Sequence, residues 1–486
     1  MRNSRSRFTL GFALACAAIT FSLAVCAQAQ TLNYFADFNG ANGWEPYGSV
    51  TQATDGNFYG TTSGGIYGVY GNDNVFRMTP TGEITSIFNF GSKPNCTDGT
   101  SPRTAPILGS DGNLYGVTYA GGTVCGGDGV VYKMKLDGEV TVLHTFCFAC
   151  LDGSGPNGII LASDGNFYGT TNYGGTAGVG TIFKITPAGK YTQLYSFCSQ
   201  TNCADGSYSV FPPVQGKDGN FYGTASAGGT LGAGVFYQLT SAGAYKVIHN
   251  FCSTSCPKGE YAWAYTITQG ANGNFYGTTY AGAFEITATG DYTELASFAG
   301  EPARMGWPGT ALTLASDGNF YGTFIGGGSG SWAPFAWGGI YEITSKGEFK
   351  PLHSFCCSSS GFTPLDPVFQ ATDGNFYGTT AYGGIGGGKG GAGDFGYGTA
   401  FQFSNGLGPM VETVPVAGKV GRNVIILGNN LTGSTSVTFN GVAAKFTVES
   451  DTYIKATVPP GATTGKVQVT TPTAKLNSNP VFQVLK

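Results

Sequence analysis

Charged side chains and histidines are scarce in this chain. Of its 486 residues only 11% are charged, the net charge is −4, and three are histidines. Nucleic-acid binding needs a basic footprint and membrane-surface binding needs a basic patch, but no lysine or arginine run occurs. Beyond residue 30 no apolar stretch is long enough to span a bilayer. These features disfavour a nucleic-acid-binding or membrane-inserted mature protein.

The start of the chain has the features of a signal peptide. Three arginines in the first seven residues precede an apolar run over residues 8–25, and Ala27-Gln28-Ala29 matches the small-x-small cleavage pattern. We predict a signal peptide over residues 1–29 and a mature protein that is secreted, periplasmic or on the cell surface of a bacterium. A retained membrane anchor and a lipoprotein attached through Cys26 are the alternatives.

Glycine is abundant, at 81 residues, and much of it recurs in one motif. The string DGNFYGTT, or a close variant, begins at seven positions that lie 45 to 56 residues apart: Asp55, Asp111, Asp164, Asp218, Asn272, Asp317 and Asp373. This spacing is typical of propeller blades, and no segment has a convincing helical period. Each copy contains four short strand patterns, the first two joined by an Asp-Gly hairpin, which predicts a four-stranded blade.

The two ends of the repeat region predict a closed ring. The fourth-strand pattern follows only six of the seven third-strand patterns and is missing after the last one, Ala400 to Ser404. The segment Thr31 to Phe38 (TLNYFADF) resembles the missing strand. We therefore predict an all-β fold with a seven-bladed β-propeller over residues 30–408, closed by the N-terminal strand, because closure removes exposed sheet edges.

The repeat and the C-terminal segment each resemble a known family. DGNFYGTT and the SFC…C…DG spacing resemble the Gloeo/Verruco (GloVer) repeats of exported bacterial proteins, which implies architecture and export but no established activity. The segments GRNVIILGNNL and VTFNGVAA resemble an IPT/TIG domain. This second resemblance implies a C-terminal immunoglobulin-like β-sandwich over residues 409–486, of a kind that acts as a spacer or binding module.

The predicted propeller has two unlike surfaces. The short turns of each blade fall on one surface, here called the hairpin face. The glycine-rich loops and the connections between blades fall on the other, the loop face, where length variation is concentrated and where we expect binding. Tryptophans expected there could stack on sugar rings or anchor a protein, or instead pack the loops. The ligand-binding candidates are Trp44, Trp263, Trp307, Trp332 and Trp337.

The cysteines indicate disulfide bonds. Of twelve, Cys16 and Cys26 lie in the predicted signal peptide, and an even number in the exported part reads as disulfides. The expected pairs are Cys147/Cys150, Cys198/Cys203, Cys252/Cys256 and Cys96/Cys125. The adjacent Cys356 and Cys357 are left open, because a bridge between neighbouring residues is strained. A redox motif or half of a zinc site is the alternative for Cys147 and Cys150.

No catalytic or metal-binding constellation is legible. His144, His249 and His353 share one repeat position that other copies fill with Phe, Tyr or Ala, which indicates packing. The motif aspartates are interpreted as turn residues. Calcium would be better served by Asp98, Asp152 and Asp205, in the connections between blades. No nucleophile elbow, phosphate loop or HExxH motif occurs, so we predict no metal site and no cofactor.

The sequence therefore favours a secreted or cell-surface, non-enzymatic binding or structural scaffold. Its loop face is expected to contact an extracellular glycan or protein. The alternative is an extracellular polysaccharide hydrolase or lyase with its site on the same face. That activity requires two carboxylates, or a Tyr/Arg/carboxylate set, converging near the central tunnel. The ligand and the oligomeric state stay open.

Overall fold

The structure, a computed structural model, describes residues 30–64, 73–252, 267–279, 282–298, 311–326, 337–355, 361–384 and 396–485. The predicted signal peptide lies outside these residues. Within them the chain is all-β, with no α-helix and three short 3-10 turns at Pro94–Cys96, Phe148–Cys150 and Thr201–Cys203. Seven four-stranded antiparallel sheets, one for each repeat, precede a C-terminal sandwich.

The strands of the repeats follow one another in chain order within each sheet. The N-terminal strand is β1 (Thr31–Asp37). The strands of the first two repeats are β2 (Thr51–Gln52), β3 (Phe58–Thr62), β4 (Asn74–Met78) and β5 (Ile84–Asn89), then β6 (Ile107–Leu108), β7 (Leu114–Thr118), β8 (Val130–Met134) and β9 (Val140–Thr145). Those of the next two are β10 (Ser154–Leu161), β11 (Phe167–Tyr173), β12 (Thr181–Ile185) and β13 (Tyr191–Ser196), then β14 (Val214–Gln215), β15 (Phe221–Ala225), β16 (Gly232–Leu239) and β17 (Tyr245–Cys252).

The last three repeats have the same order, with one difference at the end. The fifth and sixth contain β18 (Ile267–Gln269), β19 (Phe275–Thr279), β20 (Gly282–Ile286) and β21 (Tyr292–Ser297), then β22 (Thr313–Leu314), β23 (Phe320–Phe324), β24 (Gly339–Ile343) and β25 (Phe349–Ser354). The seventh has only β26 (Phe369–Gln370), β27 (Phe376–Thr380) and β28 (Thr399–Ser404), and β1 is its fourth strand. The register of this pair runs from Thr31 opposite Ser404 to Asp37 opposite Thr399, which confirms the predicted position of the N-terminal strand.

The repeated motif organises the hairpin and the core of each sheet. The Asp55 carboxylate accepts hydrogen bonds from the backbone N–H and side-chain amide of Asn57 and from the Tyr59 hydroxyl, at 2.8 to 3.1 Å. The same three bonds form at the other five motif aspartates. The second glycine of the motif, which follows the tyrosine, is required by packing, because a Cβ at Gly378 would lie 2.5 Å from the ring of Phe401.

One aromatic contact joins each repeat to the next. The motif tyrosine stacks on the motif phenylalanine of the following repeat with ring centroids 4.0 to 4.4 Å apart, in the pairs Tyr115–Phe167, Tyr168–Phe221, Tyr222–Phe275, Tyr276–Phe320, Tyr321–Phe376 and Tyr377–Phe58. In the remaining interface Tyr59 shares a buried cluster with Leu114. The Tyr377–Phe58 stack places the last repeat against the first.

The C-terminal unit is a sandwich of two four-stranded sheets. One contains β29 (Glu412–Val414), β31 (Asn423–Leu427), β35 (Tyr453–Thr457) and β34 (Lys445–Ser450). The other contains β33 (Val442–Ala443), β32 (Ser436–Phe439), β36 (Val467–Thr470) and β37 (Lys475–Asn477). A parallel pair, β30 (Ala417–Lys419) and β38 (Gln483–Leu485), completes it, and the core includes Ile426, Phe439 and Val467.

The sandwich is docked on the hairpin face of the repeats. Ile425 and Leu427 of β31 belong to the same buried cluster as Leu108 and Tyr59. The Thr452 hydroxyl donates to the Thr54 carbonyl oxygen at 2.7 Å. Further bonds reach the hairpins of other repeats, from the Asn429 amide to the Thr372 hydroxyl and from the Asn479 amide to the Leu314 carbonyl oxygen. The loop face is therefore the surface that the sandwich leaves open.

Candidate functional site

A cavity of about 550 Å³ lies where the first strands of the repeats begin, at the loop-face end; we call it the central funnel. Described residues of six repeats line it. Its walls are largely apolar, with Phe211, Leu365 and Phe369 among them, and its polar side chains are few. This combination is typical of small-molecule sites.

The polar groups of the funnel occupy one recurring place in the repeat. Tyr47 and Arg103 each follow a proline and lie four residues before β2 and β6. Asn157 follows a proline within β10, and Asp366 lies two residues after a proline and three before β26. The same threonine of the second strand fixes this stretch in several repeats: Thr61 donates to the Thr104 carbonyl oxygen, and Thr323 to that of Asp366. The backbone is thus held alike while the side chains differ.

Arg103 and Asn157 both have unused hydrogen-bond donors. The Arg103 guanidinium lies over the ring of Tyr119, with its carbon 3.6 Å from the ring centroid, and no carboxylate of the described residues is within 4.0 Å. Asn157 is 8% exposed, and its Nδ2 has no hydrogen-bond partner among the described residues. A buried unpaired donor costs roughly 1–3 kcal/mol, so a ligand that supplies an acceptor would recover it.

Three further groups have displaced pKa values. Burial raises the pKa of the Asp366 carboxyl to about 7. Burial also raises the pKa of Tyr47, which Arg103 lowers in part and the carboxylates of Asp366 and Glu45 raise further. Glu45 is 8% exposed and hydrogen-bonded to Tyr382, and burial raises its pKa as well. A carboxyl with a pKa near neutral can hold or release a proton under ordinary conditions.

A second cavity, of about 570 Å³, lies between the sandwich and the fourth to sixth repeats. Two of its charged groups, Lys217 and Asp317, are already engaged, and the third, Lys466, is exposed. Lys217 donates to the carbonyl oxygens of Gly270 and Ala271 at 3.1 and 2.6 Å, and Asp317 accepts from Asn319 and Tyr321. This cavity is a junction between units and has no buried polar side chain without a partner among the described residues, so the funnel is the better candidate.

Two of the five candidate tryptophans lie in described residues. Trp44 is half-buried with its ring edge against Tyr397, at 5.7 Å between centroids. Trp337 is half-buried against Phe362, at 4.5 Å. Both keep part of their surface open, so packing and ligand contact are compatible at these positions. Trp263, Trp307 and Trp332 lie outside the described residues.

Disulfides fix the connections between repeats. Cys96 is bonded to Cys125, Cys147 to Cys150 and Cys198 to Cys203. Cys252 is disulfide-bonded, while its expected partner Cys256, and Cys356 and Cys357, lie outside the described residues. Such bonds are those of a protein that leaves the reducing cytoplasm. No helix of the described residues is long and apolar enough to cross a membrane.

The aspartates of these connections hold the loops rather than form a calcium site. Asp98 accepts hydrogen bonds from Ser92 and from the Lys93 backbone. The Asp152 carboxylate is hydrogen-bonded to the His144 ring. The Asp205 carboxylate accepts hydrogen bonds from the Tyr195 hydroxyl and from backbone N–H groups of its loop. Within the described residues no three His, Cys, Asp or Glu side chains gather as metal ligands. The surroundings of these three aspartates therefore do not support the expectation that they are better calcium candidates than the motif aspartates.

Sequence comparison then decides the family. The model of the Gloeobacter/Verrucomicrobia repeat matches residues 17–211 and 198–390. The chain belongs to this family. The IPT/TIG domain model matches residues 411–484, the region of the sandwich. No curated protein matches the chain in sequence.

Several solved structures are similar to this Gloeobacter/Verrucomicrobia repeat protein at low identity. A luciferin-regenerating enzyme has 10% identity and a TM-score of 0.41, over 79% of this chain and 98% of that one. The extracellular domain of BT3049, a two-component-system protein of B. thetaiotaomicron, has 13% identity and a TM-score of 0.48, over 91% of this chain and 54% of that one. PorZ, a surface component of the type-IX secretion system of Porphyromonas gingivalis, has 13% identity and a TM-score of 0.44, over 93% of this chain and 60% of that one. At these scores the functional argument rests on the chain itself.

The histidines of the Gloeobacter/Verrucomicrobia repeats lie in packing positions. His144 stacks on Tyr191 of the next repeat, with centroids 4.1 Å apart and ring planes 7° apart. Tyr195, at the same repeat position, stacks on Tyr245 at 3.9 Å. His353 packs edge-on against Phe355, and burial lowers its pKa. His144 and Tyr195 thus pack between repeats and His353 packs within its own repeat, and none of the three lines the funnel.

Sequence reasoning did not single out the funnel residues Tyr47, Arg103, Asn157 and Asp366. The enzyme alternative only required that two carboxylates, or a Tyr/Arg/carboxylate set, lie near the central tunnel, without naming residues. The signal that could have found them was their place in the stretches that lead into the first strands, on the predicted loop face. Loops that a rigid scaffold positions are the usual carriers of binding residues.

Proposed function

We propose that the seven sheets form a closed seven-bladed β-propeller, and that the protein is an exported, non-enzymatic scaffold that binds an extracellular glycan or protein at its loop face. Closure is supported by the contacts between the last and first repeats. Tyr377 stacks on Phe58 as its counterparts do elsewhere. The Thr372 backbone N–H donates to the Gln52 side chain, as the Ser316 N–H does to Gln370.

The single observation that carries the binding role is the funnel. It gathers dissimilar polar side chains from different blades, and two of them, Arg103 and Asn157, have donors without partners among the described residues. The sandwich occupies the opposite face. The half-buried Trp44 and Trp337 supply aromatic surface on the loop face, where a glycan chain or a protein could extend the contact. Secretion, the periplasm and the cell surface are all compatible with the disulfides.

Glycan and protein arrays probed with the mature chain, residues 30–486, test this proposal. Ser49 lines the funnel, and Ser49→Trp should fill it and abolish the binding that the wild type shows. Ala188 is exposed in a tight turn at the hairpin face, and Ala188→Trp is the matched control that should bind normally. Wild-type binding that survives Ser49→Trp, or no binding to any array, would refute a ligand site in the funnel.

A second candidate, a polysaccharide lyase, is favoured by Asp366, Arg103 and Tyr47 sharing one cavity. In an acidic sugar, Arg103 would neutralise the carboxylate and Asp366 would take the proton from the adjacent carbon. That electron pair would form a carbon–carbon double bond as the bond to the next sugar's oxygen breaks, and Tyr47 would protonate that oxygen. A hydrolase would need a second carboxylate, and Asp366 is the only one that lines the described part of the funnel.

Ultraviolet absorbance of the unsaturated product distinguishes the lyase from the scaffold. A lyase would generate it from an acidic polysaccharide, and Asp366→Asn would abolish the signal while binding persisted. A scaffold would bind without any rise in absorbance.

A further inference from the structure

The unpaired donors of the funnel indicate what kind of ligand it takes. The Arg103 guanidinium keeps its charge at all relevant pH values and has its face on Tyr119, so its N–H edges stay available. Planar guanidinium edges match a carboxylate in a bidentate arrangement. Asn157 adds an unpaired donor that is almost wholly buried. Both residues therefore need acceptors from the ligand.

The size of the funnel and the chemistry of its walls further restrict the class of ligand that it can bind. A cavity of about 550 Å³ admits a short oligosaccharide end rather than a folded domain. Its walls alternate apolar surface, from Phe211 and Phe369, with hydroxyl groups, from Ser49 and Thr104. Sugar rings present the same alternation of apolar faces and hydroxyl groups. A ligand that is both hydroxyl-rich and acidic satisfies every group named here.

We propose that the funnel recognises the carboxylate of an acidic sugar, held by Arg103 with Asn157 as the second donor. This inference rests on the proposed binding function and specifies its ligand class as uronic-acid oligosaccharides. Tyr47 lines the same wall region, and its side chain has no hydrogen-bond partner among the described residues, so its hydroxyl is available to the ligand as well.

Titration calorimetry on the mature chain tests the ligand class. The probes are trisaccharides of galacturonate, mannuronate and glucuronate, with neutral galactotriose and the simple dicarboxylate succinate as comparisons. At least one acidic trisaccharide should bind, and at least about tenfold more tightly than galactotriose and succinate. Equal binding of galactotriose would overturn the role of the carboxylate. Equal binding of succinate would overturn the role of the sugar.

Variants identify the residues. Arg103→Gln should weaken binding of the acidic trisaccharide at least about tenfold, with partial rescue by Arg103→Lys. Arg422→Gln, at an exposed arginine of the sandwich, removes the same charge outside the funnel and should bind as the wild type. Asn157→Leu should weaken binding without a loss of thermal stability, because it removes an unpaired donor. Unchanged affinity in Arg103→Gln refutes the inference.

The pH dependence of ligand affinity is a further test, because a purely structural role of the funnel residues would not change it. Asp366 faces the funnel together with Arg103 and Tyr47, and Glu45 is near Tyr47. An ionised Asp366 repels the ligand carboxylate, so affinity should rise as pH falls from about 8 to about 6, through the pKa of Asp366 near 7. Asp366→Asn should remove that rise, and a rise of equal size in this variant would count against the assignment.

Array binding and trisaccharide binding together distinguish a failure of the proposed ligand class from a failure of the proposed binding function. If Ser49→Trp abolishes array binding but no acidic trisaccharide binds, the funnel is a ligand site and the ligand class proposed here is wrong. If Ser49→Trp changes nothing on the arrays, the binding function itself is wrong.

Discussion

The hairpin of the fifth repeat shows what the motif aspartate does. Asn272 replaces it, and the Tyr276 hydroxyl donates instead to Glu285 of the neighbouring strand at 2.7 Å. The amides of Asn272 and Asn274 turn to the same carboxylate oxygen. The tyrosine therefore needs a carboxylate within reach and not an aspartate at one position. This is the behaviour of a structural acceptor, and it agrees with the interpretation of the motif as a turn.

The motif glycine leads to a stability prediction. A Cβ at Gly322 would lie 2.3 Å from the buried ring of Tyr341. Gly322→Ala should therefore lower the free energy of unfolding by about 1–3 kcal/mol, measured by denaturant titration. Gly408→Ala is the control, because no atom lies within 4 Å of a Cβ there. Equal stability of the two variants would show that the ring moves aside at no cost.

A buried carboxyl in the sandwich predicts a dependence of stability on pH. Burial raises the pKa of Glu412 from 4.5 to about 7, and its Oε2 has no hydrogen-bond partner among the described residues. The folded chain holds this proton where the unfolded chain has lost it, so stability falls as pH rises from about 4.5 to about 7. Thermal unfolding of Glu412→Gln should show a smaller fall across this window than the wild type. Replacement of the exposed Glu449 by Gln should leave the fall unchanged.

At the scale of elements, the strands were predictable because the motif repeats. Seven copies of one hairpin give the sheets, and a missing fourth strand in the last copy indicates that β1 must supply it. The funnel was not predictable in the same way. Its residues lie at positions 47, 103, 157 and 366, and only the arrangement of the blades brings them together. A repeat consensus emphasises what the copies share, whereas the funnel consists of what differs between them.

The segment at β1 leads to a prediction about how the contact between the last and first sheets contributes to stability. Phe38, directly after β1, is fully buried and packs on Phe76 of the first repeat at 5.1 Å between centroids. It thereby joins the last sheet, to which β1 belongs, to the first. Phe38→Ala should lower the free energy of unfolding by about 3–5 kcal/mol in a single cooperative transition, measured by calorimetry. Tyr34→Ala, at an aromatic residue of β1 that is 42% exposed, is the control and should have a much smaller effect.

On the scale of the whole molecule, the sandwich makes the two faces of the repeat region chemically different. Its β31 places Ile425 and Leu427 in one buried cluster with side chains of the first two blades. Bonds to the sixth and seventh repeats widen the contact around the hairpin face. Because these partners lie in both early and late repeats, docking depends on the first and last repeats lying side by side. The sandwich therefore stabilises the contact between the last and first repeats, to which Phe38 after β1 also contributes.

Separating the sandwich from the repeats tests this dependence. Ile425→Asp places an unpaired charge in the shared cluster and should release the sandwich, because a buried charge without a partner is strongly unfavourable. Calorimetry should then resolve two transitions, with the repeat transition at a lower temperature than in the wild type, and proteolysis should cut between Ser404 and Met410. Val420→Asp, at a residue 47% exposed on the sandwich, should keep the wild-type profile. Two transitions with the repeat transition at its wild-type temperature would mean that the sandwich contributes no stability to the repeats, and a single unshifted transition would mean that the shared cluster does not hold the sandwich in place.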